Sequence, residues 1–195
     1  MNLLFVCDYN FTRSPCAEIM TKENAAQAGL ELKVSSAGLQ RSRMPRMKSE
    51  MCRAMEQLKY PSDHTPRIAT PEIISQQHLI LCFEKRQREI LRANAPSKLI
   101  FTLPEYVTWF YKEIRDPNEN IRTPNPRTMF TSTHYLLTRT TDSTVYEDVL
   151  DVYLKTAKTI EKYVNRLITK LLKEQTKSAQ HPQSGNTQAY STAKH

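Results

Sequence analysis

The segment Asn2-Leu3-Leu4-Phe5-Val6-Cys7-Asp8-Tyr9-Asn10-Phe11-Thr12-Arg13-Ser14-Pro15 decides the reading of the chain. Residues 2–7 form a mostly apolar run too short for a helix, and Pro15 follows soon after. They read as a buried parallel strand leading into a loop and then a helix. Ser14 is expected to be the N-cap and Pro15 to sit in the first helical turn, where its missing N–H costs nothing. Cys16, Ile19 and Met20 then share one helical face, and Gly29 ends the helix.

Working outward, Leu30, Leu32 and Val34 alternate with polar residues as a second strand, which Ser35-Ser36-Ala37-Gly38 closes. A basic loop follows, with Arg41, Arg43, Arg46 and Lys48. A helix is expected from about Pro45, with Met47, Met51, Met55 and Leu58 on its core side. Residues 71–77 read as a short helical turn, 79–83 as a buried strand, 84–94 as a polar helix and 99–101 as a fourth strand, which Pro104 interrupts. From 104 to 143 the pattern weakens, and Pro117, Pro124, Pro126 and a run of threonines give an irregular insert at about 118–142. An amphipathic helix resumes at Val145. Strand–helix alternation of this kind implies an α/β fold, a parallel sheet with helices on both faces. The domain is expected to span 1–175, and residues 176–195, rich in Ser, Thr, Gln and Ala, to form a disordered tail.

Composition narrows the classes. The chain has 195 residues, enough for one domain with a proper core, and a net charge of +8 that suggests an anionic partner. No apolar run approaches the ~20 residues of a membrane-spanning helix, and the start lacks the basic and apolar regions of a secretory signal. The expected location is therefore cytoplasmic. The four cysteines, at 7, 16, 52 and 82, have neither zinc spacing nor the density of a disulfide framework.

In a doubly wound sheet, ligands bind beyond the carboxyl ends of the strands. There the first strand ends on Cys7, and Arg13 stands at the start of the next helix. Backbone N–H groups of residues 8–13 can wrap phosphoryl oxygens, and the helix dipole adds positive potential. Arg13 supplies a two-pronged donor for two of those oxygens. The same field favours the thiolate of Cys7, and Ser14 is placed to donate to its sulfur. Asp8, Tyr9, Asn10, Phe11, Thr12 and Ser14 thus make a loop for inorganic phosphate or a similar oxyanion, with a nucleophile at its base.

Phe5-Val6-Cys7, Asn10, Arg13-Ser14-Pro15 and Ala17-Glu18 resemble the signature of the low-molecular-weight protein tyrosine phosphatases. Val34–Gly38, His64-Thr65-Pro66-Arg67, Ile80–Glu84 and Thr144-Val145-Tyr146 resemble later segments of that family, in the same order. The resemblance implies a four-stranded parallel sheet in a three-layer fold, with no metal or other cofactor. It implies hydrolysis of phosphotyrosine in proteins, or of another phosphomonoester, through a cysteinyl-phosphate on Cys7. Arg13 would hold the oxygens, and Asp116, in Asp116-Pro117, would serve as acid and then base. Asn10, Ser36 and His64 would brace the loop.

Three departures stand out. Tyr9 occupies a position where the family usually has Gly, so its Cβ either demands a compatible φ or narrows the pocket mouth. Thr12 replaces a second cysteine that can form a reversible disulfide with the nucleophile. Asn118 and Glu119 follow Asp116-Pro117 where aromatic residues are usual, leaving Tyr9, Trp109 or Tyr111 to pack against a phosphotyrosine ring. The alternatives are a catalytically weak or inactive phosphate-binding adaptor and, on the same fold, arsenate reductase, which needs relay cysteines beyond Cys82. The lysines of the final helix (155, 158, 162, 170 and 173) read as its solvated face. No aromatic interleaving or reading motif supports a nucleic-acid partner.

Overall fold

The computed structural model describes residues 1–110, 112–120 and 143–180. Four strands, β1 (Asn2–Cys7), β2 (Lys33–Gly38), β3 (Leu79–Cys82) and β4 (Leu99–Thr102), form one parallel sheet in the order β2-β1-β3-β4. Helices α1 (Arg13–Gln27), α2 (Ser49–Gln57), α3 (Pro71–Ser75), α4 (Lys85–Asn94), α5 (Leu103–Thr108), α6 (Pro117–Asn120) and α7 (Ser143–Gln180) complete the described elements. The α/β, three-layer architecture expected from the sequence is the one observed.

The sheet's two faces follow from the two-residue period of a strand. Leu3, Phe5 and Cys7 join a large core with Met20, Met51, Met55, Tyr153, Ile160 and Leu167, under α1, α2 and α7. Leu4 and Val6 point the other way, into a smaller core with Ile80, Cys82, Leu91 and Ile100 beneath α3 and α4. β1 pairs with β2 on one side and β3 on the other, so the order reverses at the end of β1. That is the switch point where a parallel sheet opens a crevice.

Several boundaries differ from expectation, each for a local reason. β2 begins at Lys33, so the Ser35–Gly38 run is the strand itself rather than its close. α2 begins at Ser49 and not near Pro45, because Met47 N–H donates to His64 O at 3.2 Å and Lys48 N–H to Phe11 O at 2.9 Å. These tertiary bonds hold residues 47–48 out of the helix. Pro104 does not merely interrupt β4; it lies in the first turn of α5, closed by a reciprocal cap between Thr102 and Glu105. α7 runs through Gln180, past residue 176 where the tail was expected to start. Beyond Leu172, helix formers extend the hydrogen bonding without needing a core. Residues 181–195, most of the expected insert and Tyr111 lie outside the described residues.

Candidate active site

The loop between β1 and α1 is shaped from below by β2. Leu39 N–H donates to Cys7 O at 2.9 Å and Gln40 N–H to Asp8 O at 2.8 Å. Gly38 sits so close that an added Cβ would come within 2.9 Å of Asp8 O and of Tyr9 C. Only a residue without a side chain lets strand and loop approach this far. Within the loop, Asn10 takes a left-handed backbone, φ 56°, which Asn tolerates better than most residues. Tyr9 is not in that region, so its replacement of a glycine carries no such strain.

The Asn10 side chain is the hub of a polar network, and donor counting fixes its direction. Its Oδ1 accepts the Arg67 backbone N–H at 2.9 Å, a group that can only donate. The amide nitrogen must therefore be the donor to both Ser14 Oγ (2.9 Å) and Ser36 Oγ (2.7 Å). Each hydroxyl then has one proton left to give. Ser36 gives its proton to Glu18 Oε2 at 2.6 Å. Ser14 Oγ lies 3.0 Å from Cys7 Sγ and donates to Ala37 O at a longer 3.4 Å, so a thiolate at Cys7 would draw the Ser14 proton to the shorter contact. The same count makes His64 donate from Nε2 to Asn10 Oδ1, 3.0 Å away. Burial lowers the His64 pKa against the opposing pull of Glu18, which suits this neutral tautomer.

Arg13 is fully buried and stretches along the opposite wall, its guanidinium 5.9 Å from the centre of the Phe83 ring. Its Nη1 donates to Glu84 and, at 2.9 Å, to Ile114 O. Its Nη2 donates to Asp8 Oδ2 at 3.0 Å and to Asp116 Oδ2 at 3.3 Å. Among the described residues Nε is buried and finds no acceptor. Burial opposes the charge, but Cys7, Asp116 and Glu84 outweigh it and the guanidinium pKa ends raised. Asp8 is also held by Arg86 (2.6 Å) and Gln87 (2.9 Å), so the start of α4 fixes both loop carboxylate and arginine.

Asp116 is anchored from its other oxygen. Oδ1 accepts the Asn118 N–H at 2.9 Å and the Asn118 side-chain amide at 2.6 Å, and Tyr153 O–H donates to Asn118 Oδ1 at 2.6 Å. Asn118, read from the sequence as a lost aromatic, is thus the clamp on the aspartate. Tyr9 and Phe11 pair with ring centroids 5.8 Å apart. With Gln40, Arg41, Arg43 and Met44 they line a groove of about 520 Å³. Trp109, one of the three candidates for packing against a substrate ring, lines a different groove, against α7.

The structure therefore gathers the sequence-predicted residues around one loop in two hydrogen-bonded networks, Cys7, Asn10, Ser14, Ser36 and His64 in one and Asp8, Arg13 and Asp116 in the other. Tyr9 and Phe11 stand at its rim. Thr12 is buried at the N-cap position without a side-chain capping bond. The expectation that Ser14 caps α1 is corrected: Ser14 is the second residue of the helix, and its hydroxyl is committed to the Cys7 network. An uncapped helix start keeps its N–H groups for an anion. Glu84, Arg86 and Gln87 were not singled out as site residues. Their signal was position: polar residues directly after β3, the strand beside β1.

A buried arginine and a cysteine around a strand-to-helix loop define the cysteine-based phosphatases. Residues 2–178 match the family described as low molecular weight phosphotyrosine protein phosphatase, and the chain belongs to that family. The protein-arginine-phosphatase of Bacillus subtilis (strain 168) is 29% identical over 119 residues, covering 60% of this chain and 79% of that protein. The YwlE arginine phosphatase from Geobacillus stearothermophilus superposes with a TM-score of 0.69 at 21% identity, over 93% of this chain and 97% of that one. The low-molecular-weight protein tyrosine phosphatase from T. tengcongensis gives a TM-score of 0.67 at 24% identity, over 87% and 99%. No helix among the described residues is long and apolar enough to cross a membrane.

Proposed function

We propose that this phosphatase hydrolyses phosphotyrosine in proteins, with Cys7 as nucleophile, Arg13 as oxyanion holder and Asp116 as acid and base. The observation that carries the mechanism is the unpaired Nε of buried Arg13 on the same loop as a Cys7 whose Sγ lies 3.0 Å from Ser14 Oγ. Two phosphoryl oxygens would take Nε and Nη2, and the longest of the four contacts that Arg13 makes, to Asp116 at 3.3 Å, is the one to yield. Substrate binding thereby frees a carboxyl group toward the leaving group. The Cys7 thiolate attacks phosphorus, the P–O bond to the ring breaks, and Asp116 gives its proton to the phenolate oxygen. Water then attacks the cysteinyl-phosphate and returns a proton to Asp116. Inorganic phosphate leaves and the thiolate is restored. Loop N–H groups and Arg13 carry the developing charge in both steps.

The aromatic pair Tyr9–Phe11, with Arg41 and Arg43 in the same groove, supports an aryl phosphate flanked by acidic residues. A second reading, phosphoarginine, is favoured by the name of the Bacillus subtilis relative. It would put a cationic leaving group beside those two arginines. Phosphate release from a phosphotyrosine peptide and from an arginine-phosphorylated protein separates the two. The expected result is a kcat/KM on phosphotyrosine at least about tenfold higher, abolished in Cys7→Ser. The reverse preference overturns the substrate, and equal turnover by Cys7→Ser overturns the mechanism.

A further inference from the structure

α5 ends at Trp109, whose backbone is left-handed with φ 62°. Bulky residues adopt this conformation rarely. It leaves two successive large apolar side chains in water: Trp109 is 87% exposed and Phe110 80%. Such a pair is more than the scattered apolar exposure expected of any surface. Beside it, the end of α5 and α7 share a groove of about 640 Å³. Arg166, Lys170, Lys173 and Lys177 line that groove, spaced four, three and four residues apart along one face of α7. Glu174 is the one carboxylate among its lining residues.

Lys170 joins the two parts. Its Nζ lies 3.9 Å from the centre of the Tyr106 ring and 5.1 Å from that of Trp109, and donates to Tyr106 O at 2.7 Å. The indole is thereby held next to the cations. We infer that Trp109, Phe110 and this stripe of α7 form a docking surface for an anionic lipid bilayer.

Charge and polarity favour that occupant. Rings beside long cationic side chains are the pairing that seats an amphipathic surface at headgroup depth. Anionic headgroups add attraction for each lysine or arginine near the surface, and the chain as a whole carries +8. Single-stranded nucleic acid would need a series of free stacking faces, and Lys170 already covers one face of the indole. Lys170 and Lys173, read from the sequence as part of a solvated face, thus belong to this surface.

Trp109 is the one tryptophan of the chain, so its emission reports this surface alone. The test titrates the full chain with phosphatidylcholine vesicles, with and without phosphatidylserine. The expected result is a blue shift only with phosphatidylserine, reversed by high salt. Lys173→Glu/Lys177→Glu is expected to weaken partitioning at least about tenfold. Trp109→Ala/Phe110→Ala is expected to reduce co-sedimentation with vesicles, and circular dichroism melting verifies that each variant is folded. No shift, or an equal shift on both vesicle types, overturns the inference. So does a response to single-stranded RNA or poly-glutamate in place of vesicles, or a dimer that hides Trp109.

Discussion

At the scale of the residue, the direction of one amide governs the sulfur proposed as nucleophile. Asn10 donates to both serines because its oxygen is committed to the Arg67 N–H, and Ser14 then holds a proton for Cys7. Asn10→Asp keeps the shape and removes the donors. It is expected to lower kcat on an aryl phosphate by roughly 10²-fold, read by steady-state kinetics. Asp116→Ala is expected to lower kcat by about 10²-fold or more and to remove one limb of the pH–rate profile. His64 supplies a stability prediction whose sign is fixed. Its folded pKa lies below the ordinary 6.5, so the unfolded chain takes up a proton first as pH falls. Stability present above that ordinary value is lost on acidification through it, down to the folded pKa. Urea midpoints between neutral and mildly acidic pH check this, and His64→Gln is expected to flatten the slope.

At the scale of the element, β2 moulds the loop, so Gly38 matters more than any glycine in the loop, which has none. Gly38→Ala forces a Cβ against Asp8 and Tyr9 backbone. It is expected to cut phosphate-analogue affinity while leaving the melting transition cooperative, measured by calorimetric titration. Met55, a fully buried residue of α2 in the core that α2 shares with α7, is the contrasting case. Met55→Ala is expected to cost about 2–5 kcal/mol in denaturant unfolding, with kinetics of the folded enzyme unchanged. These elements also show what the sequence made legible. β1, its loop and α1 were readable because a short apolar run, a Cys–Arg spacing and Pro15 all lie within fourteen residues. α5 was missed because Pro104 was read as a breaker, although Thr102 and Glu105 carry the spacing of a reciprocal cap. The clamp of Asn118 on Asp116, and of α4 on Arg13, depend on contacts between distant segments that no local pattern carries.

At the scale of the whole molecule, the sheet sets Cys82 apart from the other three thiols. Cys7 faces the α1 side, while Cys82, opposite Val6 in register, lies in the core of the other face. Cys16 is on the Cys7 side, but its thiol donates to Met20 Sδ at 3.8 Å, and burial drives its pKa far up. Burial likewise pushes Cys82 up to about 12. Cys52 is raised too, with less burial. Iodoacetamide near neutral pH is therefore expected to label Cys7 first, and bound phosphate to protect it, followed by peptide mass spectrometry. With Thr12 beside it, and with Cys16, Cys52 and Cys82 each hydrogen-bonded to other groups, an oxidised Cys7 is expected to find no partner thiol within the protein. Its sulfenic acid waits on reductant from outside and, if a second peroxide arrives first, is oxidised by it to the sulfinic acid. Peroxide is thus expected to act on this chain as a clock rather than a switch, with the surrounding thiol supply setting how long each molecule lasts.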